Sequence, residues 1–172
     1  MAVGRVELLL SVRYGRLHET QQVLMNTVLP DGNVYDKLRR DAKTRATLQA
    51  CVDRGLVRVI ATLTVLDELR RSPFGGIPAW YRVAIESENV TVLNKATLGV
   101  TRLGEGAVYY EHCGKSRQVP DAIIADSANA LADILVSEDR RCRERLKRIG
   151  TRCKGMDYEG FCGWLRTITA AT

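Results

Sequence analysis

The stretch TVLPDGNVYDKL, Thr27 to Leu38, decides how the chain is read. Apolar and β-branched residues run up to Pro30, an aspartate follows, and from Val34 the pattern becomes that of a helix. With the residues in front of it, VLMNTVLP (Val23 to Pro30) reads as a buried strand. Asp-Gly is by itself a common turn signal. Asp31 is therefore either a bend in the backbone or a side chain that a strand end delivers to a site. The rest of the chain decides between the two.

Outward from this stretch, strands and helices alternate. Val34 to Arg40 starts a helix, and Thr44 is a candidate cap for a second, whose stripe of Leu48, Cys51 and Val52 stops at Gly55. Leu56 to Leu63 (LVRVIATL) reads as a second strand. A helix from Thr64, TVLDELRRS, follows and ends before the loop at Pro73-Phe74-Gly75-Gly76. Val90 to Leu93 reads as a short strand, and Gly99 to Gly114 is glycine-punctuated and ambiguous. PDAIIADSANALAD, from Pro120, is a strong helix with proline at its start. Ile134 to Ser137 (ILVS) is a strand that ends at Glu138-Asp139. A basic helix, a last strand near Lys154 to Met156 and a short helix through Trp164 and Leu165 complete the chain. This alternation predicts an α/β fold, three layers α/β/α around a mostly parallel central sheet of about five strands. There are no repeats and no low-complexity segments.

The composition fits such a domain. The 172 residues are 45% hydrophobic and 27% charged, as in ordinary globular chains. No apolar run approaches the roughly 20 residues that cross a bilayer. VELLLSV (Val6 to Val12) is too short and carries Glu7, so it does not read as a signal peptide. The five cysteines, Cys51, Cys113, Cys142, Cys153 and Cys162, are widely spaced with no CxxC, which suits free thiols in a reducing, cytoplasmic setting. A zinc site from Cys153, Cys162 and His112 or His18 has no spacing in its favour. The net charge of +6 is a weak hint of a polyanionic partner. More telling are two basic clusters: Arg140 to Lys154 (RRCRERLKRIGTRCK), and Arg39, Arg40, Lys43 and Arg45. One such run is usually a solvated helix face; two, each just after a suspected site residue, suit a phosphate backbone.

Parallel sheets bind ligands at the carboxyl ends of their strands. Asp31, Asp121 and Asp139 all stand at strand ends or helix starts. A fourth acid lies on TVLDELRRS, and helix geometry chooses it. At about 100° per residue, Val65, Leu66 and Leu69 define the buried direction. Asp67 then points away from it, within reach of Arg70 and Arg71, whereas Glu68 lies at the edge of the buried stripe and can reach inward. Each acid has a plain alternative: a turn for Asp31, a dipole complement for Asp121, a helix start for Asp139. Those alternatives do not explain why all fall at one edge of the sheet. Two carboxylates about 4 Å apart repel by roughly 4 kcal/mol at an effective dielectric of 20. Four together call for a cation, and Mg²⁺ or Mn²⁺ takes such oxygen ligands.

With these residues in view the chain resembles PIN-domain nucleases, the fold that includes the VapC-type toxins of bacterial toxin–antitoxin pairs. VLPDGNVYDKL, TVLDELRR, VPDAIIADSANALADILVSEDRR and MDYEGFCGWL carry the likeness, in the family's order, over about Val23 to Leu165. The resemblance implies a PIN-like domain over residues 23–172, with residues 1–22 an N-terminal extension of unknown role. It implies that Asp31, Glu68, Asp121 and Asp139 are catalytic and bind Mg²⁺ or Mn²⁺, and that Asn33 and Ser137 line the site. Arg140, Arg141 and Arg143 are candidates to grip nucleic acid. His18 and His112 read as incidental. The family usually has Thr or Ser between the first Asp and the Asn; Gly32 here offers no hydroxyl, which bears on the support of Asp31.

The implied function is hydrolysis of RNA phosphodiester bonds, with RNA as substrate, no membrane partner, and an antitoxin protein and a homodimer as further partners that the family admits. The alternative is a catalytically inactive PIN-fold module that binds nucleic acid or protein. A haloacid-dehalogenase-type phosphatase wants Asp-x-Asp after the first strand, where Asn33 takes the second place. A phospho-receiver wants two adjacent acids there, and Asp31 stands alone.

Overall fold

The computed structural model describes residues 25–73, 75–79, 81–85, 89–91, 101–103, 119–149 and 152–170. Its strands are β1 (Asn26–Pro30), β2 (Val57–Ala61), β3 (Ala84–Ile85), β4 (Asn89–Thr91), β5 (Thr101–Leu103), β6 (Ile134–Val136) and β7 (Lys154–Met156). Its helices are α1 (Gly32–Arg40), α2 (Ala42–Asp53), α3 (Leu63–Arg71), α4 (Val119–Leu131), α5 (Arg140–Ile149) and α6 (Tyr158–Ala170). Five strands form one all-parallel sheet in the order β3-β2-β1-β6-β7, and β4 pairs with β5 apart from it. Helices α3, α4 and α5 pack in a row, α2 packs on α6, and α1 touches both α2 and α3. This is the three-layer α/β/α architecture expected from the alternation of elements.

The strand order locates the site. From β1 the chain moves outward to β2 and β3, and later returns to lay β6 and β7 on the other side of β1. The carboxyl ends of β1 and β6 therefore flank the point where the order reverses, the place where open parallel sheets bind ligands. Backbone bonds fasten both ends of this seam. Asp133 N–H donates to Thr27 O at 2.9 Å at the start of β6, and Asp31 N–H donates to Val136 O at 2.8 Å at its end. The Asp133 side chain adds an acceptor for Thr27 N–H at 2.8 Å.

The sheet carries the core. Val28, Leu29, Ile60, Ala61, Leu135 and Val136 have no solvent exposure, and each large side chain so buried contributes about 1.5–3 kcal/mol. From the helices, Val34 and Leu38 of α1, Val65 and Leu69 of α3, and Phe161 and Leu165 of α6 join the same cluster at i, i+4 spacing.

Several boundaries differ from the sequence-based expectation. The cap of α2 is Asp41 rather than Thr44: its Oδ1 accepts from Thr44 N–H at 3.0 Å and its Oδ2 from the Thr44 hydroxyl at 2.8 Å. Thr44 is the bonded partner three residues on, which is where an N-cap carboxylate finds its donor. Helix α3 begins at Leu63, one residue before Thr64, with Thr62 in the cap position. The last helix, expected to be short, runs 13 residues. Gly55, with φ of +70°, ends α2 as expected. Strand β3, two residues long, carries too little pattern to read. The ambiguous span Gly99 to Gly114 contains β5, its remainder lying outside the described residues, as do residues 1–24. Among the described residues no helix is long and apolar enough to cross a membrane.

Candidate functional site

A cleft of about 360 Å³ opens at the carboxyl edge of the sheet, lined by Asp31, Gly32, Asn33, Asp36, Glu68, Leu69, Ser72, Asp121 and Asp139. The four acids singled out in the sequence thus line one cavity, although they come from four separate segments.

Asp31 follows β1 and caps α1. Its Oδ1 accepts from Gly32 N–H at 2.7 Å, and its Oδ2 accepts from the Asn33 amide at 3.0 Å and the Ser137 hydroxyl at 2.7 Å. A carboxylate offers roughly four lone-pair sites, so acceptor capacity remains on the cleft side. The turn at Asp31 and its place at the cleft coexist, since the residue that caps the helix also lines the cavity. Ser137 stands beyond β6 with no exposed surface. Its Oγ donates to Asp31 and accepts from Asp139 N–H at 3.1 Å, which ties the two acids together. Asp139 in turn opens α5, its Oδ1 accepting from Arg141 N–H at 2.7 Å.

Asp121 lies in the first turn of α4. Its carbonyl accepts a long bond from the buried Cys142 thiol of α5 at 3.8 Å. Burial, then Asp31, Asp121 and Asp139, pushes that thiol far above its ordinary range. Three of the acids therefore lie near enough to bear on one buried sulfur of α5.

On α3 the geometry separates the two candidates as helix spacing requires. Asp67 is solvated, its side chain 56% exposed and 3.1 Å from Arg70. Glu68 enters the cleft. Its carboxyl is pushed up to about 7 by burial first, then by Asp31 and Asp121, with Arg71 working the other way. Asp31 is also raised, chiefly by burial and further by Asp139, while its bonds from Ser137, Gly32 and Asn33 pull it down. Burial first, and the neighbouring carboxylates second, thus make both groups easier to protonate than ordinary acids.

The side chains around these acids hold the loop after β6. Asn33 Oδ1 accepts from Glu138 N–H at 3.3 Å. The Glu138 carboxylate binds Lys37 Nζ at 2.8 Å and accepts from Tyr158 N–H at 2.9 Å. One residue thereby joins α1, the β6–α5 loop and α6. Glu138 and Asp36 are not among the residues that the sequence patterns single out. Asp36 falls three residues after Asn33 on the same face of α1, which is the signal that could have found it.

The three arginines differ in role. Arg143 Nη1 donates to the Ser137 carbonyl, and Arg143 Nη2 is 4.0 Å from Asp157, so this side chain is drawn to the sheet edge. Its backbone and side chain also lie against Gly155 of β7. Arg140 is exposed and pairs with Glu144 at 2.6 Å, and Arg141 is exposed beside it. Arg140 and Arg141 are therefore the members of the trio that face solvent. His18, His112 and Cys113 lie outside the described residues; Cys51, Cys142, Cys153 and Cys162 are free thiols.

Among the described residues no group of three or more His, Cys, Asp or Glu side chains is placed so that it could hold a metal ion. The cleft nonetheless presents the carboxylates of Asp31, Asp36, Glu68, Asp121 and Asp139, with the polar side chains of Asn33 and Ser72 beside them. That chemistry fits a hard divalent ion such as Mg²⁺, which keeps several waters and needs only one or two direct carboxylates. No protein-family model matches the chain, and no characterised protein or solved structure matches it either.

Proposed function

We propose that this chain is a PIN-type, Mg²⁺- or Mn²⁺-dependent endoribonuclease whose working cleft is the acidic one at the β1–β6 seam. The observation that supports it best is the convergence of Asp31, Glu68, Asp121 and Asp139 on a single cavity, with Glu68 pushed up to about 7 by burial and by two of its neighbours. Mutual repulsion of this kind is offset when a cation enters.

Asp31, Glu68, Asp121 and Asp139 are the residues that would hold the ion. Such an ion, when bound, lowers the pKa of a water and offsets charge on the leaving oxygen of a phosphodiester. Ser137 and Asn33 keep the Asp31 carboxylate aimed into the cleft through bonds of 2.7 and 3.0 Å. The same Ser137 oxygen fixes Asp139 through its N–H. Arg140 and Arg141, exposed on the first turn of α5, supply positive charge beside Asp139 for a polyanionic substrate. The VapC-like sequence features suggest a toxin paired with an antitoxin as the biological setting.

The test is RNA cleavage with Mn²⁺ by wild type and Asp121→Asn, with the product ends sequenced. Metal-dependent cuts leaving 5′-phosphate and 3′-hydroxyl ends are expected from wild type and not from the variant, at unchanged circular dichroism. Cleavage that persists in the variant discards the proposal. Absence of Mn²⁺ binding by wild type at millimolar concentration favours the inert binding module instead.

A further inference from the structure

Gly32 is the first residue of α1. Its φ is not positive, unlike those of Gly55, Gly75 and Gly76, so the backbone there does not itself require glycine. A Cβ at this position would stand 3.1 Å from Glu68 Oε2 and 3.7 Å from Glu68 Cβ. The nearer contact is tighter than ordinary van der Waals separation. The atom it meets is the free end of a flexible side chain, so the main chain would absorb little of the strain. Glu68 would have to move, and its neighbours in the cleft are Asp31 and Asp121. The hydroxyl that Gly32 lacks is supplied to Asp31 from across the sheet by Ser137, which leaves the space over Gly32 to the Glu68 carboxylate.

We infer that Gly32 is a positioning residue: its missing side chain sets where the Glu68 carboxylate stands against Asp31. A β-carbon at position 32 requires the Glu68 carboxylate to give way by a few tenths of an ångström while leaving the fold in place. The consequence for cation binding rests on the nuclease reading; the steric coupling itself does not.

A double-mutant cycle separates the two. Wild type, Gly32→Ala, Glu68→Ala and the double variant are unfolded thermally in EDTA and titrated with Mn²⁺ by calorimetry. Alanine in a first helical turn is favoured over glycine once its space is free, so Gly32→Ala raises Tm in the Glu68→Ala background. With Glu68 present that gain is lost, a coupling of about 2 °C or more. Additive Tm changes overturn the inference. On the metal side, Gly32→Ala weakens Mn²⁺ binding about tenfold with Glu68 and less than twofold without it. A coupled Tm together with unchanged Mn²⁺ affinity overturns the positioning role. Wild type that binds no Mn²⁺ defeats the nuclease reading alone, and the EDTA cycle still decides whether Gly32 governs Glu68.

Discussion

Ser137 Oγ donates to Asp31 Oδ2 across 2.7 Å, although the two residues stand 106 positions apart. The bond closes the seam between β1 and β6 at the point where strand order reverses. It also turns two helix caps into one acidic cluster, because the same oxygen accepts from Asp139 N–H. Ser137→Ala removes both links. About 1 kcal/mol of stability is expected to go with them, together with a roughly ten- to hundredfold loss in Mn²⁺ affinity, as for other residues that orient metal-binding carboxylates. Chemical unfolding and Mn²⁺ calorimetry on the variant measure the two effects. A variant that binds Mn²⁺ like wild type shows that Ser137 does not orient Asp31.

Glu68 gives the metal-free protein a pH dependence of unusual sign. Its ordinary value is 4.5 and its folded value about 7, so between these the folded state binds more protons than the unfolded one. Stability then falls as pH rises through this window, the reverse of the usual carboxylate case. Glu68 is only partly buried, so solvent screening keeps the effect to on the order of 1 kcal/mol. Glu68→Gln is expected to flatten the Tm profile between pH 5 and 8 in EDTA. An unaltered slope assigns the dependence elsewhere. In the same window a cation competes with the Glu68 proton, so Mn²⁺ binding tightens with rising pH and releases protons. Calorimetry in buffers of different ionisation enthalpy reads that release.

Asp41 tests the fold apart from the site. It caps α2 through Thr44 and accepts from Tyr158 Oη at 3.2 Å, and the Thr44 bonds hold its carboxyl below the usual range. Asp41→Ala costs about 1 kcal/mol. A lowered carboxyl stabilises above its unfolded value and loses that contribution as pH falls through its folded value, so the cost of the variant shrinks in acid. RNA cleavage stays at the wild-type rate, because Asp41 lies outside the acidic cleft. Equal destabilisation at pH 3 and pH 7 contradicts the assignment.

Glu138 separates charge from acceptor geometry. Its pair with Lys37 is 44% and 35% exposed on the two sides, and such pairs contribute little. Its bond from Tyr158 N–H anchors the start of α6. Glu138→Gln is therefore nearly neutral in urea unfolding, whereas Glu138→Ala costs about 1 kcal/mol. Equal losses in both identify the ion pair as the dominant contribution.

The parts of this molecule that were legible in the sequence are those where one pattern dominates. β1 ends in the apolar run Val28-Leu29-Pro30 and α4 begins beside a proline. On α3, the i, i+3, i+4 stripe separated Glu68 from Asp67, because helical periodicity fixes direction as well as location. What stayed hidden depends on tertiary neighbours. β3 is two residues long and is defined by pairing with β2, which no local pattern announces. Arg143 looked like its neighbours Arg140 and Arg141, and only the nearby Ser137 carbonyl draws it inward. The space over Gly32 belongs to a side chain 36 positions away, so the sequence could show the missing hydroxyl but not the reason for it.

In the proposed nuclease the carboxylates at the β1–β6 seam share a divalent cation. Anomalous scattering at the manganese edge, from a crystal grown with Mn²⁺, tests it most directly. A peak within about 2.2 Å of a carboxylate oxygen of Asp31, with Glu68, Asp121 or Asp139 bound directly or through its waters, is expected. A cleft without a peak at saturating Mn²⁺, or an ion held only by residues elsewhere on the protein, contradicts it.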